Sequence, residues 1–95
     1  SHLAACLDVA HTALYGSGAA LKDWFARAAP RLAHCHVNNN RGRYDDHLPL
    51  DVHGGAINYG DGVLPLLAAM PSAVWLVLEM GSLDHLERSL CFLGR

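Results

Sequence analysis

The sequence is poor in charge, has no long apolar run and carries no excess of basic residues. Charged side chains make up 17% of its 95 residues against 52% hydrophobic, too few for a disordered chain, so it is expected to fold. Seven Lys and Arg stand against nine Asp and Glu, a formal net charge of -2, which removes the positive footprint of a general nucleic-acid or anionic-membrane binder. The expected ligand is therefore small. No stretch approaches the roughly 20 apolar residues of a membrane-spanning helix, and the start lacks both regions of a signal peptide, so a cytoplasmic location and no membrane partner are expected. Cys6, Cys35 and Cys91 are odd in number, unclustered and set among apolar neighbours; this argues against a disulfide framework or a zinc finger and for reduced thiols. Internal repeats and low-complexity segments are absent. The opening on Ser1 rather than Met, running at once into apolar residues, reads as a cut from a longer protein.

What is present is an alternation of strand and helix signals. Ala4 to Val9, Leu32 to Val37 and Ala73 to Leu78 are apolar runs of strand length, each followed by turn-rich sequence. Between the first two, Ser17 and Gly18 precede Leu21, Trp24, Phe25 and Ala28 at helical spacing, and Pro30 ends the segment. Asp61 is expected to cap a short helix through Val63, Leu66, Leu67 and Met70, with Pro65 in its first turn and Pro71 closing it. Ser82 caps a last helix whose Leu83, Leu86 and Leu90 form one apolar face. This order predicts an α/β fold of parallel βα units with right-handed crossovers, in a single domain over residues 1–95. Alternation turns Ala5, Leu7, Val9, Ala33, Cys35, Val37, Val74, Leu76 and Leu78 towards the helices. The opposite face then carries Cys6, Asp8, His34, His36, Trp75, Val77 and Glu79. Asn38 to Tyr59 is one long connection, of the kind that is usually functional or mobile.

Asp8, His36 and Glu79 each stand at the carboxyl end of a strand on that second face, where α/β proteins place their ligands. Two carboxylates and an imidazole suit a divalent ion such as Mn, Co, Zn or Mg rather than a thiolate-selected metal. Residues at strand ends also cap neighbouring loops, but a buried carboxylate pair without a cation is expensive. Asp8 with His11 forms D-x-x-H just past the first strand, and Asp45 with His47 forms D-x-H in the long loop, spacings that let two ligands approach one ion. Arg41 and Arg43 in the same loop are clamps for phosphate or carboxylate oxygens, or solvated loop residues. His34 is expected to line the interior; His2, His53 and His85 are expected at the surface.

The segments Cys6-Leu7-Asp8-Val9-Ala10-His11, His36-Val37-Asn38-Asn39-Asn40-Arg41-Gly42, Asp45-Asp46-His47-Leu48-Pro49-Leu50, Ile57-Asn58-Tyr59 and Leu76-Val77-Leu78-Glu79 resemble the last three strands of the xylose-isomerase-like barrel. That superfamily includes sugar phosphate isomerases and epimerases and the endonuclease IV type of DNA repair enzyme. The resemblance covers nearly the whole chain and implies strands six to eight of a (β/α)₈ TIM barrel, whose full length is about 200 to 250 residues. By that resemblance Asp8, His36 and Glu79 match three ligands of the family's central divalent metal. His11 matches a residue that contacts substrate in the sugar enzymes and metal in the repair enzymes, and Asp45 and His47 match a pair that binds an additional zinc in the repair enzymes. The chain departs from the family in two places. Asn39 stands where members usually carry an acid, and Asp51, Val52 and His53 precede Gly54-Gly55 where members show Gly-x-Gly soon after the leucine and proline. A further metal-binding glutamate of the family lies on strand five, outside this chain.

Three readings follow, in this order. The first is a fragment or truncated relative of a metal-dependent sugar phosphate isomerase or epimerase. In it Glu79 is both metal ligand and proton carrier, and His11 and the loop residues Arg41 and Arg43 hold the oxygens of a small sugar or sugar phosphate; with one ligand and five strands missing, the isolated chain is expected to bind metal weakly or not at all and to be inactive alone. The second is a zinc phosphodiesterase of the repair type, using Asp45 and His47. The third is a non-catalytic module. In every case open strand edges and an uncovered inner face predict a homo-oligomer rather than a monomer.

Overall fold

The computed structural model describes residues 3–15 and 20–94. Strand β1 (Ala5–Asp8) runs directly into helix α1 (Val9–Tyr15); α2 (Leu21–Ala28) leads to β2 (Leu32–Val37). After the long loop a five-residue π-helical turn (Tyr59–Val63) continues into α3 (Leu64–Ala68), followed by β3 (Trp75–Leu78) and α4 (Leu83–Leu93). The three strands form one open parallel sheet in the order β1-β2-β3. The chain is thus a small α/β domain with a three-stranded sheet and four α-helices.

Register follows the expected alternation. Cys6, His34 and Trp75 lie side by side across the sheet, as do Asp8, His36 and Val77. Leu7, Cys35 and Val37 face the helices and are buried with Val9, Phe25, Leu32, Leu50, Ile57, Tyr59 and Val63. Each fully buried aliphatic or aromatic side chain contributes about 1.5–3 kcal/mol. Burial pushes the Cys35 thiol up to about 11, with the neighbouring Cys6 adding to the shift, so Cys35 stays protonated; the three cysteines are free. No helix among the described residues is long and apolar enough to cross a membrane.

Several local features differ from the sequence expectation, each for a physical reason. The first strand stops at Asp8 because the Asp8 carboxylate accepts from the His11 backbone N–H at 2.9 Å and its carbonyl accepts from Thr12 Oγ1 at 2.7 Å, which starts α1 where a strand was expected to continue. Ser17 and Gly18, expected to open the following helix, and His2 lie outside the described residues. The third strand begins at Trp75, two residues later than expected. The cap before α3 is Asn58, whose side chain accepts from the Asp61 N–H at 3.0 Å; Asp61 itself lies inside the turn. Ser82 does cap α4, accepting from His85 N–H at 3.2 Å. The inward residues of α4, however, include Ser89, fully buried because its hydroxyl accepts from Leu50 N–H and donates to the Met80 sulfur. Leu83 and Leu90 point outwards instead.

The long loop is fastened from within by three consecutive buried asparagines, Asn38, Asn39 and Asn40. Asn39 pairs its backbone with Leu48 in both directions at 2.8 Å. Its side-chain amide donates to the carbonyls of Leu50 and Ile57 at 3.0 and 2.9 Å and accepts from the N–H groups of Asn40 and Ile57 at 2.9 and 3.1 Å. The Asn40 side chain accepts from Gly42 N–H at 2.8 Å. Tyr59 donates its hydroxyl to the Asn38 carbonyl at 2.6 Å. Burial, the larger effect, raises the Tyr59 pKa above the ordinary range, so this donor is not titrated away.

Candidate metal centre

Asp8 ends β1, His36 lies one residue from the end of β2, and Glu79 follows β3, where its N–H still donates to Val37 in the ladder at 3.1 Å. Parallel pairing brings all three to the carboxyl side of the sheet, on the face away from the helices. One ligand atom from each lies within 4.8 Å of the others, and His36 Nδ1 stands 3.1 Å from Glu79 Oε1. The set is two oxygens and one nitrogen, about the size of a divalent ion's coordination sphere. Each side chain is between one quarter and two fifths exposed, so one flank opens to solvent. Asp8 has a second task, since one of its oxygens caps α1; the other, Oδ2, stands 3.2 Å from His11 Nδ1.

A second group of contacts joins this cluster to the long loop. Asp45 Oδ2 bonds His11 Nε2 at 2.8 Å, and Asp45 Oδ1 lies 3.3 Å from His47 Nε2. His47 Nδ1 is 2.8 Å from the Glu79 carbonyl oxygen. A carbonyl only accepts, so Nδ1 donates, and in the neutral ring Nε2 keeps its lone pair towards Asp45. His47 adopts φ 54°, a left-handed conformation that costs a non-glycine residue energy and is held here by those contacts. Asp8, His11, Asp45, His47, Glu79 and His36 therefore form one chain of contacts from the sheet to the loop and back.

The His11–Asp45 hydrogen bond raises the His11 pKa above 6.5, against an opposing effect of burial and with further help from the negative charges of Asp8, Asp45 and Glu79. The same bond lowers the Asp45 pKa below 3.8. The bond to the Glu79 carbonyl raises His47. A raised imidazole stabilises fully below its unfolded pKa and is lost as pH rises through the folded value; a lowered carboxylate stabilises above its unfolded pKa and is lost as pH falls through the folded value. Docking of the loop on His11 is thus expected to be tightest between about pH 3.8 and 6.5 and to loosen on either side. Amide hydrogen exchange at Tyr44 to His47 checks this: protection that is flat from pH 5 to 9, after correction for intrinsic rates, would refute the pairing.

Arg41 and Arg43 are exposed on the loop, and among the described residues neither guanidinium makes a hydrogen bond or ion pair. Arg41 Nε lies beside Gly54. His34, expected to line the interior, is exposed on the open sheet face, and His53 is exposed on the loop; His85 is only partly exposed, with a buried Nδ1 that has no partner among the described residues. Sequence reasoning gave Asn38 no role. Its Nδ2 lies 3.4 Å from His47 Nδ1, and its buried Oδ1 has no partner among the described residues. An asparagine directly after a strand-end histidine carries no signal that separates it from a loop residue; only the fold buries it. The geometry requires an amide at Asn39: the Leu50 and Ile57 carbonyls need two N–H donors, which a carboxylate lacks. No protein family, curated protein or solved structure matches the chain.

Proposed function

We propose that the chain belongs to a divalent-metal-dependent enzyme that isomerises or epimerises a small sugar or sugar phosphate, as a fragment or truncated relative built on strands six to eight of a TIM barrel. The observation that carries the reading is the convergence of Asp8, His36 and Glu79 within 4.8 Å at three adjacent parallel strand ends. Their mixed oxygen and nitrogen donors, open on one flank, fit Mn, Co, Zn or Mg. Such an ion supplies positive charge that polarises a carbonyl and the neighbouring hydroxyl. Glu79 lies beside that position and, one third exposed, can take a proton from an adjacent carbon and return it. His11 would hold a substrate oxygen by exchanging one of its present partners, Asp8 or Asp45, for it, and Arg41 or Arg43 would supply positive charge for a phosphate.

The test is titration of the chain with Mg or Zn, read by calorimetry, together with deuterium uptake into aldoses, ketoses and their phosphates in D2O, read by NMR. Three protein ligands predict binding no tighter than micromolar, weakened at least tenfold by Glu79→Gln or His36→Ala; deuterium uptake is expected only from a longer chain that supplies the missing strands, and is lost there in Glu79→Gln. Binding unaffected by either substitution overturns the metal centre; binding that depends on both, with no uptake into any sugar by the longer chain, overturns the isomerase reading alone. A second reading, phosphodiester cleavage at a multi-zinc site, is favoured by Asp45 standing between His11 and His47 with the His47 Nε2 lone pair turned inwards. Zinc content separates the two, because the second requires His11, Asp45 and His47 as additional ligands.

A further inference from the structure

Asp8 and Glu79, the outer members of the candidate metal centre, stand at the ends of β1 and β3 with β2 between them. The ladder places their backbones, Asp8 opposite His36 and Glu79 by its N–H bond to Val37, but it does not set the rotation of a side chain. The same two residues are joined a second time, through the loop. His11 holds both oxygens of Asp8, its backbone N–H donating to Oδ1 at 2.9 Å and its ring Nδ1 standing 3.2 Å from Oδ2. The far ring nitrogen meets Asp45 Oδ2 at 2.8 Å. The other Asp45 oxygen lies 3.3 Å from His47 Nε2, and His47 Nδ1 donates to the Glu79 carbonyl at 2.8 Å. The Asn39–Leu48 bridge anchors the residue next to His47.

We propose that Asp45 and His47 are positioning residues for the metal centre: with His11 they form a strap that sets the orientation of the Asp8 carboxylate and of Glu79 without touching the ion. This rests on the metal-centre reading above and deepens it. Three observations carry it. Among the described residues, the ligand atoms that converge within 4.8 Å belong to Asp8, His36 and Glu79, and none comes from the strap. Both oxygens of Asp45 and both ring nitrogens of His47 already face protein partners. His47 is the one described non-glycine residue with a positive φ, 54°, a backbone cost offset by the contacts of its ring. With the strap in place the outer ligands meet an arriving ion already ordered; without it, ordering them subtracts from the affinity.

The experiment is calorimetric titration of the 95-residue chain with Zn or Mg at neutral pH, repeated on the longer chain that supplies the missing strands if the former binds neither ion. Parent, Glu79→Gln, Asp45→Ala and Asp45→Asn are compared, and amide hydrogen exchange at Tyr44 to His47 is measured with and without the ion. The two Asp45 variants remove the same charge, but only the amide keeps an oxygen for His11 Nε2 and an N–H for the His47 Nε2 lone pair. The expected result is binding weakened about tenfold or more in Asp45→Ala and held within about threefold of the parent in Asp45→Asn. Because coupling is reciprocal, the ion should raise protection at Tyr44 to His47 in the parent by a comparable factor, and not in Asp45→Ala. Equal losses in the two Asp45 variants overturn the proposal: if the zinc count falls too, Asp45 is itself a ligand, and if it does not, only its charge acts. Unchanged affinity in Asp45→Ala, with Glu79→Gln weakened, overturns the strap and leaves the metal centre standing. A longer chain that also binds neither ion, or Glu79→Gln that binds as the parent does, overturns the metal centre and the strap with it. Asp45 is exposed, so Asp45→Ala is expected to keep its circular dichroism; if it does not, Asp45→Ser, too short to reach His11, replaces it with the same expectations.

Discussion

Gly55→Ala should cost about 2–4 kcal/mol of the 5–15 kcal/mol typical of a domain, lowering the thermal midpoint by roughly 10–25 °C at this length. The reason is local crowding rather than backbone conformation. A Cβ at Gly55 would stand 2.6 Å from Asn39 Nδ2 and 2.9 Å from both Asn39 Cγ and Val52 Cγ1. Val52 can turn aside. Asn39 cannot, because its amide is committed to four backbone groups and its own backbone to Leu48. Moving it strands the buried carbonyls of Leu50 and Ile57, and that loss adds to the overpacking. Urea unfolding followed by circular dichroism provides the measurement. A change below 0.5 kcal/mol, in units where ordinary surface substitutions lie, would mean that the loop is not fastened as described.

Asn39→Asp should destabilise by at least as much, on the order of 3–5 kcal/mol at neutral pH, although the two side chains have nearly the same shape. The carboxylate would turn an acceptor oxygen towards two acceptor carbonyls, those of Leu50 and Ile57, in a residue only 1% exposed. Burial and those carbonyls favour the protonated acid, so the folded pKa of the new group rises above the unfolded value of about 3.9. A raised carboxyl pKa gives a penalty that is fully present above the folded value and disappears as pH falls below the unfolded one. The difference between variant and parent should therefore narrow steadily from pH 7 towards pH 3.5. A penalty independent of pH would place its cause in shape rather than charge.

These two residues also mark how far the sequence could be read. The three strands, their inward and outward faces and the site face at their carboxyl ends followed from alternating apolar residues in Ala5 to Asp8, Leu32 to Val37 and Trp75 to Leu78. Asp8, His36 and Glu79 were legible because a polar residue ends each run on the same face. Helix α1 was not, since Val9 to Tyr15 lacks a polar stripe and its start depends on Asp8 folding back onto the His11 N–H. The inward face of α4 was misread in part because Ser89 is buried for its hydroxyl's two partners, while Leu83 and Leu90 face water and only Leu86 of the expected stripe is partly buried. The asparagines were opaque for a related reason: Asn38-Asn39-Asn40 has the composition of an exposed turn, and only partners 11 to 21 residues away make it an interior element.

The Asn39–Leu48 bridge, closed by two bonds of 2.8 Å, has a consequence for how such a site can change. It pinches off residues 40–47 as an excursion whose two ends are tied to each other beneath the contacts that Asp45 and His47 make with His11 and Glu79. Chain length inside a closed excursion is thermodynamically cheap, since doubling it costs only about 0.6 kcal/mol. Arg41 through Asp46 can therefore be lengthened, shortened or exchanged as a cassette while the knot beneath keeps the core intact, and new ligand preferences can be drafted there without renegotiating the fold.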